Sequence, residues 1–171
     1  MKKLIAYKDE APFERKLFSL SIPNLESFPL QLELPSRNFV LLLACDARKI
    51  EDSVITDFAN SMIDRGIAYF CAWGADCERV HDLFDLAFVT REIEEERQLP
   101  HIMTTWHNDE SLDEALWFML FSAYPDEAFA DTFGVDLAVS VGNDEWDTHI
   151  QKRLSNVKQF NEEILSKDEA R

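Results

Sequence analysis

Glycine is scarce in this chain: there are four in 171 residues, and none sits in a cluster. The first apolar run leads into Cys45-Asp46-Ala47-Arg48-Lys49, where a dinucleotide fold or a P-loop NTPase would need glycines that let the backbone approach a pyrophosphate. Both classes are excluded on that ground. No Gly-x-Ser-x-Gly elbow occurs either, so the serine nucleophile of an ordinary α/β-hydrolase has no seat. Cysteine is limited to Cys45, Cys71 and Cys77, an odd set in a chain large enough to fold without staples, which suits a reducing compartment. The seven-residue apolar run Phe39 to Cys45 falls far short of the ~18–20 residues a membrane span requires. Lys8, Asp9 and Glu10 interrupt the stretch in which a secretory signal would need unbroken apolar residues, so a cytoplasmic location is expected.

Basic residues are the most localised absence. From Gln98 to Gln151 there is no Lys or Arg, while eleven Asp and Glu occur. The net charge of -16 divides into +1 for 1–37, -7 for 38–97, -11 for 98–151 and +1 for 152–171. Such a surface repels phosphate backbones and anionic lipids, so neither nucleic acid nor a membrane is an expected partner. A hydrophobic share of 46% with 12% aromatics excludes disorder, and the length fits one domain over 1–171.

Short continuous apolar runs at 39–45, 67–73, 102–106 and 135–141 read as strands buried on both faces, each followed by a helical pattern. Helices are expected near 50–65, 76–97, 111–124 and 144–165. Gly66 marks a left-handed C-cap, Asp76 an N-cap, and Ser111 with Glu114 a capping box. The last helix carries Trp146, Ile150, Leu154, Val157 and Ile164 on one stripe before a frayed end at 166–171. In residues 1–37, Leu30, Leu32 and Leu34 alternate with Gln31 and Glu33 between prolines, the grammar of an edge strand or hairpin. The expected fold is α/β: a three-layer Rossmann-like sandwich of four mainly parallel strands flanked by helices, with the N-terminal segment at an edge.

The phrases Cys-Ala-Trp-Gly-Ala-Asp-Cys-Glu-Arg-Val-His-Asp (71–82), Thr-Thr-Trp-His (104–107) and Val-Gly-Asn-Asp-Glu-Trp (141–146) resemble an uncharacterised bacterial family of small acidic α/β proteins. The resemblance spans roughly 39–150 and implies no activity.

Ligands of open α/β sheets bind beyond the carboxyl ends of the strands. Here those ends offer Asp46, Trp73, Asp76, Thr104, Thr105, Trp106, His107, Asn143, Asp144 and Trp146 as pocket candidates. Large aromatics could stack a planar ligand, with Asp46, His107 and Cys77 as candidate catalytic groups. Cys77 stands at a helix start whose dipole would lower its pKa. The opposing reading makes the tryptophans core plugs and Asp76 and Asn143 caps. Cys77 and His81 share helical spacing, but no Cys-x-x-Cys or His-Glu-x-x-His accompanies them, so no metal and no cofactor is assigned.

The acidic stretch interleaves carboxylates with aromatics: Asp109, Glu110, Asp113, Asp126, Glu127 and Asp131 with Phe129 and Phe133. That is the composition of a surface that docks a basic protein. Two functions follow. One is a non-catalytic acidic protein-binding module, such as an immunity or antitoxin-type neutraliser of a basic toxin or nucleic-acid-binding enzyme. The other is a small enzyme or ligand-sensing domain that takes a planar metabolite at the carboxyl edge of the sheet.

Overall fold

The computed structural model describes residues 3–8 and 14–169. Of the residues used above, Asp9 and Glu10 and the last two of the chain lie outside them. Six strands form one sheet: β1 (Lys3–Ala6), β2 (Lys16–Ile22), β3 (Asn38–Ala44), β4 (Ile67–Trp73), β5 (Met103–His107) and β6 (Phe133–Val141), in the order β1-β2-β6-β3-β4-β5. Only β1 runs antiparallel to its neighbour. Five α-helices stand among the described residues: α1 (Asp52–Asp64), α2 (Cys77–Glu94), α3 (Leu112–Phe121), α4 (Asp144–Leu154) and α5 (Val157–Glu169).

The four expected strands form within two residues of the expected bounds. They are continuous apolar runs because helices cover both faces of the sheet. Along β3, Phe39, Leu41 and Leu43 face α1 and α2, while Val40, Leu42 and Ala44 face α3, α4 and α5. Each face thus has its own core. On the first, Phe70 stacks on Phe84 at 3.6 Å between ring centres. On the second, Leu116, Met119 and Leu120 of α3 are sealed against the sheet.

The N-terminal segment does provide an edge strand and an antiparallel pair, but from other residues than the alternation suggested. Leu30 to Leu34 form no strand: Leu30 is 92% exposed, and Leu32 and Leu34 only lean on the core. Pro29 and Pro35 bracket these residues and deny the ladder two donors. The antiparallel pair is instead β1 with β2, and β2 reaches the sheet interior, parallel to β6. Arg15, just before β2, enters the second core at 3% exposure. It donates to the carbonyls of Ala123, at 3.0 Å, Met119 and Leu120, which closes the carboxyl end of α3, and its Nε lies 3.2 Å from a carboxylate oxygen of Asp136. Neither Asp136 oxygen accepts a hydrogen bond among the described residues. Burial raises the Asp136 pKa to about 7 against the pull of Arg15.

Other details are also corrected. The final helix is two helices, broken at Ser155 and Asn156, where Asn156 Oδ1 accepts from the Gln159 N–H; its expected frayed end instead continues helical to Glu169. Asp76 stands at the cap position of α2 with φ 64°, yet its carboxylate caps no N–H and pairs with Arg79 at 2.7 Å. Gly66 does take the left-handed conformation, φ 90°, and a Cβ there would strike the Arg37 carbonyl.

Candidate functional site

Strand order reverses between β3 and β6. The chain leaves β3 for α1 on one face and leaves β6 for α4 on the other, so a crevice opens where the two connections part. It encloses about 360 Å³ and is lined by Asn24, Cys45, Asp46, Arg48, Lys49 and Gly142, among others. Arg48 grips Asp46 through two nitrogens, and these hydrogen bonds hold the carboxyl down at about 2. Asp46 is therefore a fixed carboxylate, not a proton donor at neutral pH. Burial pushes the Cys45 thiol up to about 12, which keeps it from acting as a thiolate.

The ends of β4 and β5 form a separate place. Trp73 and His107 are register partners and face α3, whereas Trp106 pairs with Ala72 and faces α2. The strand alternation that separates Trp106 from His107 breaks the expected single pocket: Trp73, Trp106, His107 and Asp46 do not share a concavity. On the α3 side, Trp73 Nε1 donates to the Glu110 carbonyl at 2.8 Å, and its ring meets Trp146 edge-on at 5.2 Å. His107 is 4% exposed, with Nδ1 2.8 Å from the Glu110 carboxylate and Nε2 3.1 Å from Thr105 Oγ1. On the α2 side, Trp106 lies 4.5 Å from the His81 ring, and Thr104 donates to Asp85 at 2.6 Å. Each threonine thus has a histidine neighbour on its own face. Asn143 caps α4 by accepting from Trp146 N at 3.0 Å, so Asn143, Asp144 and Trp146 open that helix.

Cys77 does not carry the lowered pKa expected of a helix start. Burial at 2% exposure raises it, and the weaker backbone hydrogen bonds do not reverse that. Among the described residues, no three His, Cys, Asp or Glu side chains stand close enough to hold a metal ion. No helix among them is long and apolar enough to cross a membrane.

The acidic stretch divides between opposite edges of the sheet. Asp109, Glu110 and Asp113 follow β5 and Asp144 follows β6, so they gather at the carboxyl edge. Asp126, Glu127 and Asp131 precede β6 and stand at the amino edge. The aromatic anchors expected beside the latter are unavailable: Phe129 is buried, and Phe133 is half-buried beneath the Arg15 guanidinium at 5.2 Å.

At the carboxyl edge the acids do line a cavity. About 460 Å³ is enclosed by Glu110, Ser111, Asp113, Glu114, Trp117, Phe118, Ile164 and Lys167, between the start of α3 and the end of α5. The capping box forms as its sequence specifies: Ser111 Oγ accepts from Glu114 N at 3.2 Å, and Glu114 accepts from Ser111 N at 2.7 Å. Asp113 binds Arg153 through both oxygens and His149 at 2.6 Å; burial would raise its pKa, but these partners outweigh it and hold the group below its usual range. Trp117 Nε1 donates to Asn161 at 2.9 Å, and its ring stacks on Phe121, so the aromatic wall is fixed in place. Trp117, Phe118 and the α4–α5 partners His149, Arg153 and Asn161 are functional candidates that strand-end reasoning passes over. For Trp117 and Phe118 the signal is local, two consecutive bulky aromatics in the helix that the capping-box acids open; for His149, Arg153 and Asn161 the sequence carries none.

No curated protein and no solved structure matches the chain. One family model does, over residues 20–157, a span that includes the phrases quoted above. It covers most of the sequence, and the chain therefore belongs to the family described as a domain of unknown function, DUF7684.

Proposed function

We propose that this is a small acidic bacterial protein, one cytoplasmic domain with Rossmann-like layering, whose task is to bind a basic protein without catalysing a reaction. The observation that carries this reading is the cavity between α3 and α5, lined by Glu110, Asp113 and Glu114 against the cation Lys167, with Trp117 and Phe118 as its aromatic wall. Carboxylates attract Lys and Arg side chains from a distance, and an aromatic face holds their cations and alkyl stems at contact. The dispersal of Asp46, Trp106 and His107, together with the sealed thiol of Cys77, leaves the enzyme reading without an assembled catalytic group. An immunity or antitoxin-type neutraliser is the role that suits such a surface.

The test is a titration of a labelled Lys- and Arg-rich peptide against the whole protein at low and physiological salt. Binding that weakens as salt rises, and weakens severalfold further in Glu110→Gln plus Glu114→Gln, supports the reading. Glutamine keeps the capping box at position 114 and an acceptor for His107 at position 110, and circular dichroism checks that the variant is folded. Absence of binding at low salt, or equal binding by the variant, overturns it.

A second reading rests on the crevice at the strand-order reversal. With Arg48 paired to Asp46, Lys49 leaves this crevice one net positive charge on an acidic chain, which fits a small anionic or planar metabolite. Thermal stabilisation by such compounds, abolished in Lys49→Glu, would favour it.

A further inference from the structure

The chain has four histidines, and two of them stand behind the cavity between α3 and α5. Glu110 and Asp113 line that cavity, whereas His107 and His149 sit behind them. His107 Nδ1 lies 2.8 Å from the Glu110 carboxylate, and His149 Nε2 lies 2.6 Å from Asp113 Oδ1. The other two, His81 and His101, belong to the α2 side of the sheet, where His81 meets Thr104 and His101 meets Phe88.

Glu110 is held at both ends. Asp109 before it takes a left-handed backbone, φ 59°, which costs a non-glycine residue energy. The turn after β5 thereby folds back, so that Trp73 Nε1 donates to the Glu110 carbonyl at 2.8 Å while its carboxylate reaches His107. His107 is sealed beneath Phe118, whose ring centre is 4.7 Å away. Its partners assign its tautomer: a carboxylate only accepts, so the neutral ring carries its hydrogen on Nδ1 and takes the Thr105 hydroxyl at Nε2, 3.1 Å away. A hydroxyl also accepts. A second proton, placed on Nε2, therefore finds a partner in Thr105, and the ring can charge without moving. His149 is 39% exposed, so water reaches it directly.

The charge of the cavity depends on these two rings. Among the described residues, Glu110, Asp113, Glu114 and Glu163 bring four negative charges, while Lys167 and Arg153, which binds both Asp113 and Glu163, bring two positive ones. Neutral histidines leave the site two negative charges, and protonation of both cancels them.

We propose that protons and a basic protein compete for this cavity: as pH falls from about 8 to 5.5, protonation of His107 and His149 releases the partner. The proposal rests on the reading of the cavity as the docking site for such a partner. Exposed carboxylates and lysines keep their charge across most of that range, whereas histidine changes its own. By linkage, a partner that prefers the unprotonated site expels protons as it binds. The other groups about the rings do not titrate there. Cys77 of α2 accepts from the His107 backbone and Cys71 of β4 meets Thr105, and burial raises both thiols, Cys71 to about 12. Glu145 and Arg153 stand one turn on either side of His149 along α4. Asp136, which burial brings to about 7, lies with Arg15 under the opposite end of α3.

The test titrates a labelled Lys- and Arg-rich peptide, free of histidine and carboxylates, against the whole protein at about pH 8 and about pH 5.5, at constant ionic strength. Wild type should bind at least about fivefold more weakly at the lower pH. Calorimetry between the two, in buffers of different ionisation enthalpy, should show protons released on binding. In His107→Gln plus His149→Gln the ratio of affinities should fall below about twofold, whatever the affinity at the higher pH. That variant keeps Asp136, His81 and His101, so a slope set by overall charge would survive in it. His149→Gln alone, at a partly exposed position, should remove part of the slope even where the double variant folds poorly by circular dichroism. In wild type, nitrogen NMR of the rings should find His107 with its hydrogen on Nδ1 at the higher pH. A hydrogen on Nε2 there, equal affinity at the two pH values, or a slope unchanged in both variants overturns the proposal and leaves the docking reading standing. Absence of binding at either pH overturns both.

Discussion

The two faces of the sheet solve the same burial problem with different chemistry. Against α1 and α2 the core is a column of rings, Phe28, Phe58, Phe84 and Phe70, in successive contact. Against α3, α4 and α5 it admits ions: Arg15 with Asp136 inside the core, and Asp113 with Arg153 and His149 at its rim. Outside, the order inverts. The ring-filled face leaves Leu86, Val89 and Ile93 of α2 exposed, and the ion-bearing face bears the cavity lined by Glu110, Asp113 and Glu114. The difference teaches what buried charge does for position: Arg15 ties the entry of β2 to the carboxyl end of α3 through three carbonyls, and Arg153 ties α4 to its amino-terminal turn through Asp113.

The strongest way to break the contrast is to remove one central side chain from each face. Phe84→Ala, which opens a void under Phe70, should cost about 3–5 kcal/mol at any pH in urea unfolding. Arg15→Met should also cost about 3–5 kcal/mol, but most above pH 7, where it removes the counter-charge of an ionised Asp136 in addition to the carbonyl hydrogen bonds at the end of α3, which are lost at every pH. At lower pH the carboxyl accepts a proton and the loss shrinks.

Asp136 should further give wild type a pH signature. Its folded pKa of about 7 exceeds the unfolded value near 3.9, so the folded state holds the extra proton. The stability this contributes is complete below about pH 4 and is lost as pH rises through 7. Asp136→Asn should erase that slope, seen as the difference between the two unfolding curves measured from pH 4 to 8.

Weaker effects separate the rims of the two faces. Arg153→Met should cost about 1–3 kcal/mol by leaving Asp113 without its principal partner. Ser111→Ala should cost about 1 kcal/mol by removing the cap of α3. α1, on the other face, begins at Glu51 with no side-chain cap, so Glu51→Ser should gain up to about 1 kcal/mol. Thermal melts of the pair would show shifts of opposite sign.

The sequence made much of this legible where one physical signal dominates. Apolar runs of strand length located β3, β4, β5 and β6, and the capping box located α3. Where two signals compete, it was not. Leu30, Leu32 and Leu34 alternate as a strand should, yet the flanking prolines prevail. β2 alternates less cleanly, because Ser19 and Ser21 take inward and half-buried places that apolar residues usually fill. The stripe from Trp146 to Ile164 crosses the break at Ser155 and Asn156 without losing phase, so periodicity alone could not divide α4 from α5. For the candidate site, the extension of β5 by one residue to His107 decided the outcome: inside a strand, Trp106 and His107 must face opposite ways. The cavity beside Trp117 depends on α5 meeting α3, a contact that no local pattern announces.

The position of β6 bears on how the protein is made. It is the last strand of the chain, yet it lies between β2 and β3 and joins the two halves of the sheet. A nascent chain that has not yet delivered residues 133–141 therefore holds two incompatible fragments: a β1–β2 pair and a β3–β4–β5 sheet, each with an apolar edge waiting for the same strand. Until β6 arrives, those edges are the sites most exposed to aggregation, and a chain that stops short of it has no stable sheet to fall back on.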